Sequence, residues 1–229
     1  MSLAERYASV RQRIASAASQ SGRSEDDINL IVITKMHPVD LVAELYDLGH
    51  RVFGENKDQE AAPKAGALES LGKSGASWHF VGQLQSNKAK SVLRYSSCVH
   101  SIDRPSLVSE LAKQLSKNEQ RIQGFIELNL TDDPGRGGVL PEKLLELAEQ
   151  VLATERIEVL GVMAVAGLGV DPRVDFERAV GAAEKLRSLI PSAKKLSMGM
   201  SEDFEVAIEL GATHVRIGSA ITGPRSFSA

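Results

Sequence analysis

Lys35 has the most chemistry to offer. It closes the run Ile28-Asn29-Leu30-Ile31-Val32-Ile33-Thr34-Lys35, a β-branched apolar segment that reads as a buried strand, and Met36-His37-Pro38 follow it. An ammonium at the end of such a strand is costly to desolvate unless it has a task there. Desolvation lowers the pKa of a lysine, and the freed amine is a nucleophile toward carbonyl carbon. These residues point to a Schiff base with an aldehyde or ketone.

Other residues able to bind or react fall at the ends of further strand-like segments. They are Gly54-Glu55-Asn56, His79 to Gln85, Ser101-Ile102-Asp103, Asn129, Met163 to Ala166, Ser197-Met198-Gly199-Met200-Ser201, and Arg216-Ile217-Gly218-Ser219. Ser201 reads as the N-cap of a helix whose apolar side carries Phe204, Ala207 and Ile208. Gly218 and Ser219 offer backbone N–H groups and a hydroxyl. Loops after the seventh and eighth strands of a barrel are common phosphate sites, so these residues suit a phosphate; an ordinary cap and turn is the alternative. Glu202 and Asp203 would repel that phosphate and are expected to point outward. Strand alternation puts Arg216 on the same side as Gly218. An inward arginine needs an acceptor: a heteroaromatic nitrogen, a carboxylate ligand, or an ion pair with Asp203 or Glu205.

Asn56 suits either a ligand hydrogen bond or a helix cap. His79, between Trp78 and Phe80, reads as a satisfied core histidine. Met163 and Met198 read as core filler, although Met198 at a strand mouth also suits packing against a flat ring. Lys88 and Lys90 read as a solvated helix face, and Cys98 as a small buried hydrophobe.

The elements that must position these residues alternate regularly. Strand candidates are Ile28 to Lys35, Arg51 to Asn56, Trp78 to Gly82, Cys98 to Ile102, Gly124 to Leu130, Val159 to Val165, Lys195 to Met200 and Val215 to Ala220. Helical patterns include Val39 to Gly49, Ser106 to Ser116, Glu142 to Ala153, Asp175 to Ile190 and Ser201 to Gly211. Ahead of them, Leu3, Tyr7, Val10, Ile14 and Ala17 recur at helical spacing, Ser2 and Glu5 form a capping box, and Gly22 is a stop signal. Strand–helix alternation implies parallel pairing through right-handed crossovers, and this many units in 229 residues predicts an α/β (β/α)8 TIM barrel over residues 1–229, with residues 1–23 as an extra N-terminal helix. An open doubly wound sheet would call for a Gly-rich turn after the first strand, and Thr34 to Pro38 contains no glycine. Asp132-Asp133-Pro134-Gly135-Arg136-Gly137-Gly138 is the most flexible loop by composition.

The net charge of −3 and the lack of a basic run argue against nucleic acid or an anionic membrane as partner. Apolar stretches fall short of the roughly 20 residues that a membrane span requires. Cys98 is the single cysteine, which excludes an internal disulfide framework and a multi-cysteine metal site. A cytoplasmic protein is expected.

Taken together, Thr34-Lys35, Phe53-Gly54-Glu55-Asn56, Gln59-Glu60, Trp78-His79-Phe80-Val81-Gly82, Leu84-Gln85-Ser86-Asn87-Lys88, Leu196 to Ser201 with Asp203, and Val215 to Ser219 closely resemble the pyridoxal phosphate homeostasis proteins. The resemblance implies a monomeric barrel like the alanine racemase N-terminal domain. It implies pyridoxal 5′-phosphate held as a covalent aldimine at Lys35, with Ser201, Gly218 and Ser219 on the phosphate, Arg216 on the pyridine nitrogen, and Asn56 and Met198 lining the pocket. Ser219 stands where threonine is more usual, and Thr222 where an aromatic residue is. The function so implied is to buffer the cofactor or deliver it to apo-enzymes. A small amino-acid racemase is the enzymic alternative; it would need acid/base groups on both faces of the α-carbon. Tyr7, Tyr46 and Tyr95 all read as helical, and no second domain is expected to bring in another. A sugar-phosphate barrel with a Schiff-base lysine is a more distant rival.

Overall fold

Each expected strand forms, most of them shorter than the apolar runs suggest. They are β1 (Asn29–Ile33), β2 (Val52–Glu55), β3 (Ser77–Phe80), β4 (Ser96–Ile102), β5 (Ile122–Glu127), β6 (Ile157–Met163), β7 (Lys195–Ser197) and β8 (His214–Ile217). The structure, a computed structural model, describes residues 1–131, 133 and 135–224. The strands pair in parallel in chain order, and β8 returns to β1 with Ile31 opposite Arg216 and Val32 opposite Ile217. The sheet therefore closes on itself as the expected barrel.

Helices surround it: α1 (Leu3–Gln20), α2 (Val39–Asp47), α3 (Asp58–Ser70), α4 (Ala89–Val92), α5 (Pro105–Lys117), α6 (Leu144–Leu152), α7 (Pro172–Leu189), α8 (Phe204–Glu209) and α9 (Ser219–Thr222). α1 starts as its sequence dictates: Glu5 N–H donates to Ser2 Oγ, and Ser2 N–H donates to Glu5 Oε2. Gly22, with φ of 67°, turns the chain out after it. α1 packs on α8 and α9, where Arg6 Nε donates to the Ile221 carbonyl and Arg13 Nε to Glu205 Oε1.

Period-2 alternation splits the core into two layers. Leu30 and Val32 point outward into the large cluster shared with the helices. Ile31 and Ile33 point inward, where their methyl groups occupy the space a Cβ on Gly54 would need. The interior is polar as well as apolar. Cys98, Phe125 and Met163 form its apolar cluster. His100 stacks near Phe125 with ring centroids 4.5 Å apart, and Phe125 meets His214 edge-on at 5.0 Å.

Three expectations change. The eighth strand ends at Ile217 rather than Ala220, because Ser219 opens α9. Ser201 does not cap a helix: α8 begins at Phe204, and Asp203 Oδ1 instead accepts from Met200 N–H at 2.6 Å to close the preceding turn. Tyr95 is not helical but lies in the turn before β4, while Tyr7 and Tyr46 sit in α1 and α2. In the loop after β5, Asp132 and Pro134 lie outside the described residues. Asn129 Nδ2 donates there to the Asp133 and Arg136 carbonyls at 3.1 Å each.

Candidate functional site

The C-terminal ends of β1, β7 and β8 meet at a cavity of about 260 Å3, lined by Ile33, Lys35, His37, Met200, Ser201, Glu202, Arg216, Gly218, Ser219, Thr222 and Gly223. Lys35 reaches it from just beyond β1 and is half-buried. Its ammonium has no hydrogen-bond or ion-pair partner among the described residues. Ser201, in the turn after β7, and Ser219, at the start of α9, come together: the Ser219 hydroxyl donates to Ser201 Oγ at 3.2 Å, and Ala220 N–H donates to the same oxygen at 3.3 Å. Glu202 is exposed and stands on the rim of the cavity rather than away from it.

Arg216 forms the floor. It is 5% exposed, and its guanidinium donates to Ser197 Oγ at 2.6 Å and to the Ala164 carbonyl at 2.9 Å. Among the described residues no carboxylate bonds it; Glu205 is taken by Arg13, and Asp203 by a backbone N–H. Burial pulls the Arg216 pKa down to about 10, against the opposing pull of Glu127 and Asp203, so it stays charged at neutral pH. Behind it runs a buried polar chain: His100 Nδ1 lies 2.8 Å from Ser197 Oγ, and His100 Nε2 lies 2.9 Å from His79 Nδ1. Desolvation holds the imidazoles neutral, pushing His79 down to about 4 and His214 to about 3. His79 is thus the satisfied core histidine its neighbours suggest. Cys98 brings a third donor atom within 4.8 Å of those of His79 and His100, but burial pushes its thiol well above the usual range.

Two buried acidic groups stand nearby: Glu127, which a sequence reading misses, and Glu55, already named at the end of the second strand. Glu127, facing inward two residues after Phe125, is raised to about 7 by burial and then by Asp103, with Arg216, Arg136 and Arg104 pulling the other way. Its Oε2 has no hydrogen-bond partner among the described residues. Glu55, fully buried on β2, accepts from Thr34 Oγ1 at 2.6 Å and from Lys64 Nζ at 2.5 Å. Burial raises its pKa, and the adjacent Lys64 ammonium counters that. For Glu127 the available signal was strand alternation; for Lys64 there was none, because its helix is weakly patterned.

The structure thus brings Lys35, Ser201, Arg216, Gly218 and Ser219 to one cavity. Asn56 lies outside it, on a second depression of about 590 Å3 at the ends of β2 and β3 that Lys88 also lines. The Asn56 side chain caps no helix, and its buried Oδ1 has no hydrogen-bond partner among the described residues. Met198 reaches neither cavity. It is 1% exposed and belongs to the outer apolar cluster, because inward-facing Ser197 leaves its neighbour pointing outward. A further cavity of about 480 Å3 opens beside α3 and α4, lined by Trp78, Lys73, Arg94 and Tyr95 among others, away from Lys35.

Comparison with known proteins agrees with the barrel fold. The profile of the alanine racemase N-terminal domain matches residues 7–226. The pyridoxal phosphate homeostasis protein of Escherichia coli K12 is 36% identical over 233 residues, covering 99% of this chain and 98% of its own. The protein of the same name from Aquifex aeolicus is 38% identical, covering 99% of this chain and all of its own. PipY of Synechococcus elongatus, solved with pyridoxal phosphate bound, superposes with a TM-score of 0.85 at 30% identity, covering 96% of this chain and 99% of its own. Alanine racemase from Corynebacterium glutamicum shares the fold alone, with a TM-score of 0.66 at 17% identity, and this chain spans 61% of it.

Proposed function

From its membership of the pyridoxal phosphate homeostasis protein family, whose barrel is that of the alanine racemase N-terminal domain, we propose that this chain holds pyridoxal 5′-phosphate reversibly at Lys35 and buffers it or delivers it to apo-enzymes. The observation that carries the reading is the pairing, in one cavity, of a lysine amine without a partner among the described residues with two serine hydroxyls and a buried arginine.

The residues fit the cofactor's parts. The Ser201 and Ser219 hydroxyls, beside Gly218, form a polar corner suited to phosphate oxygens. Arg216 spends two of its N–H groups on Ser197 and Ala164, and the guanidinium fork has others for the ring nitrogen. The unpartnered Asn56 Oδ1 at the neighbouring strand end is a further polar atom awaiting a donor. Bound there, the cofactor would supply an aldehyde, and Lys35 would hold it through condensation of its amine with that aldehyde, with loss of water. Lys35 is the group this chain contributes to that exchange.

Arg216 also argues against transamination. A permanently charged donor keeps the ring nitrogen unprotonated, which makes the ring a weaker electron sink. Racemisation stays open to such a ring and would need a second acid/base group across the α-carbon from Lys35; no tyrosine lines the cavity, and His37 and Glu202 are the other titratable side chains on it. We further read the protein as a monomer working in the cytoplasm; no helix of the described residues is long and apolar enough to cross a membrane.

The test is transfer. Loaded protein mixed with an apo-enzyme that requires pyridoxal phosphate should restore its activity, and the loaded protein alone should exchange no α-proton of alanine with deuterated solvent. Proton exchange at enzymic rates would move the racemase reading to first place.

A further inference from the structure

α3 does more than cover the barrel. Glu60 and Lys64 are four residues apart on it and so share one face, and that face lies against the chain on either side of Lys35. Lys64 Nζ donates to the Thr34 carbonyl at 2.9 Å, which belongs to the peptide unit entering Lys35. Glu60 Oε2 accepts from Met36 N–H at 2.8 Å, which belongs to the peptide unit leaving it. Both peptide planes that orient Lys35 are therefore tied to a single helix.

The tie is reinforced at both ends. Lys64 is 7% exposed, and its ammonium also bonds Glu55 Oε1 at 2.5 Å. The same oxygen accepts from the Thr34 hydroxyl at 2.6 Å, so Glu55 and Lys64 grip Thr34 by its side chain and its carbonyl together. On the other side, Met36 has φ of 62°. An unbranched, non-glycine residue rarely adopts that left-handed conformation without something to hold it. Met36 is 42% exposed, so side-chain packing is a weak hold; His37 N–H closes the turn on the Thr34 carbonyl at 3.1 Å, and the Glu60 carboxylate on Met36 N–H is the hold that comes from outside the turn. A strand that simply ended would leave Lys35 free to swing. Here the backbone turns sharply just after Lys35, with the amine on the cavity.

We propose that Glu60 and Lys64 are positioning residues: they clamp the Thr34–Lys35–Met36 backbone and so present the Lys35 amine to the ligand's aldehyde. The proposal rests on the reading of Lys35 as the residue that condenses with pyridoxal phosphate. It assigns α3 a part in covalent capture without contact between α3 and the ligand.

The test compares two ligands. Pyridoxal 5′-phosphate can condense with Lys35; pyridoxamine 5′-phosphate has the same ring and phosphate but an amine in place of the aldehyde, so it binds without condensing. Wild type, Glu60→Leu, Glu60→Gln and Lys64→Met are titrated with each, following the visible Schiff-base band and ligand fluorescence, with thermal melts to verify folding. Glu60→Leu should weaken pyridoxal phosphate capture about tenfold, the size of one charge-assisted hydrogen bond, and leave pyridoxamine phosphate affinity within about twofold, since its pocket contacts are untouched. Glu60→Gln keeps an oxygen for Met36 N–H and should restore most of the loss. Lys64→Met should act like Glu60→Leu; should it fail to fold, the Glu60 pair decides. Unchanged capture in Glu60→Leu, an equal fall for both ligands, or no rescue by Glu60→Gln overturns the clamp while leaving the cofactor reading in place. A wild-type protein that forms no adduct at Lys35 overturns both.

Discussion

Acid should loosen this fold through its histidines. His50, His79 and His214 are each under a tenth exposed, and burial lowers their pKa values from 6.5 to about 4, about 4 and about 3. His100, fully buried, shifts the same way. Below the unfolded value the unfolded chain takes up a proton at each site while the folded chain resists it. A folded pKa below the unfolded one therefore removes stability as pH falls, at ~1.4 kcal/mol per pH unit per proton. Between about pH 7 and about pH 5, each of the three histidines costs ~2 kcal/mol, or ~6 kcal/mol together. Glu127 works against them. Its pKa rises to about 7 on folding, so the folded state protonates first and recovers ~2 kcal/mol over the same range. Glu55, also raised, acts in that direction. The net loss of ~4 kcal/mol is a large part of the roughly 5–15 kcal/mol typical of a folded domain. Urea unfolding followed by circular dichroism and Trp78 fluorescence, at several pH values in that window, measures it. His214→Gln removes one such proton and should flatten the slope by ~1.4 kcal/mol per pH unit near the acid end. Stability that stays level across the window, or a slope that His214→Gln leaves unchanged, would refute the picture of neutral, desolvated imidazoles.

Other outcomes follow from the same geometry. In Gly54→Val the new Cβ would lie 2.4 Å from Ile33 Cδ1 and 2.8 Å from Ile31 Cγ2, so overpacking should cost ~1–3 kcal/mol in chemical denaturation. Ser201→Ala and Ser219→Ala should each weaken pyridoxal phosphate binding by about five- to tenfold, the value of one hydrogen bond, with the adduct still on Lys35; titration with the cofactor measures the first and peptide mapping the second. Lys35→Ala removes a side chain with no hydrogen-bond or ion-pair partner among the described residues and should melt within about 0.5 kcal/mol of wild type, while losing the adduct.

The barrel was legible because its signals are local and repeated. Apolar strands end at polar turns, amphipathic helices follow, and Ser2 with Glu5 and Gly22 bracket α1. α3 was the exception: Pro63 and Gly66 interrupt a segment with little apolar periodicity, and its identity comes from tertiary contact through Lys64 and Glu60. Lys35, Ser201, Arg216, Gly218 and Ser219 were legible from the rule that barrel sites gather at strand ends. What alternation decided less visibly was direction. Ser197 faces in and Met198 faces out, so the methionine packs on the helices. The chain from His79 through His100 to Ser197 and Arg216 joins four strands, and no single stretch of sequence contains it.

The most direct test of the central claim is the absorbance spectrum of the protein mixed with pyridoxal 5′-phosphate, before and after borohydride reduction, followed by peptide mapping. The expected result is a visible band that reduction abolishes and a stable label on Lys35. A colourless mixture, or a label on another lysine such as Lys64 or Lys88, would contradict it.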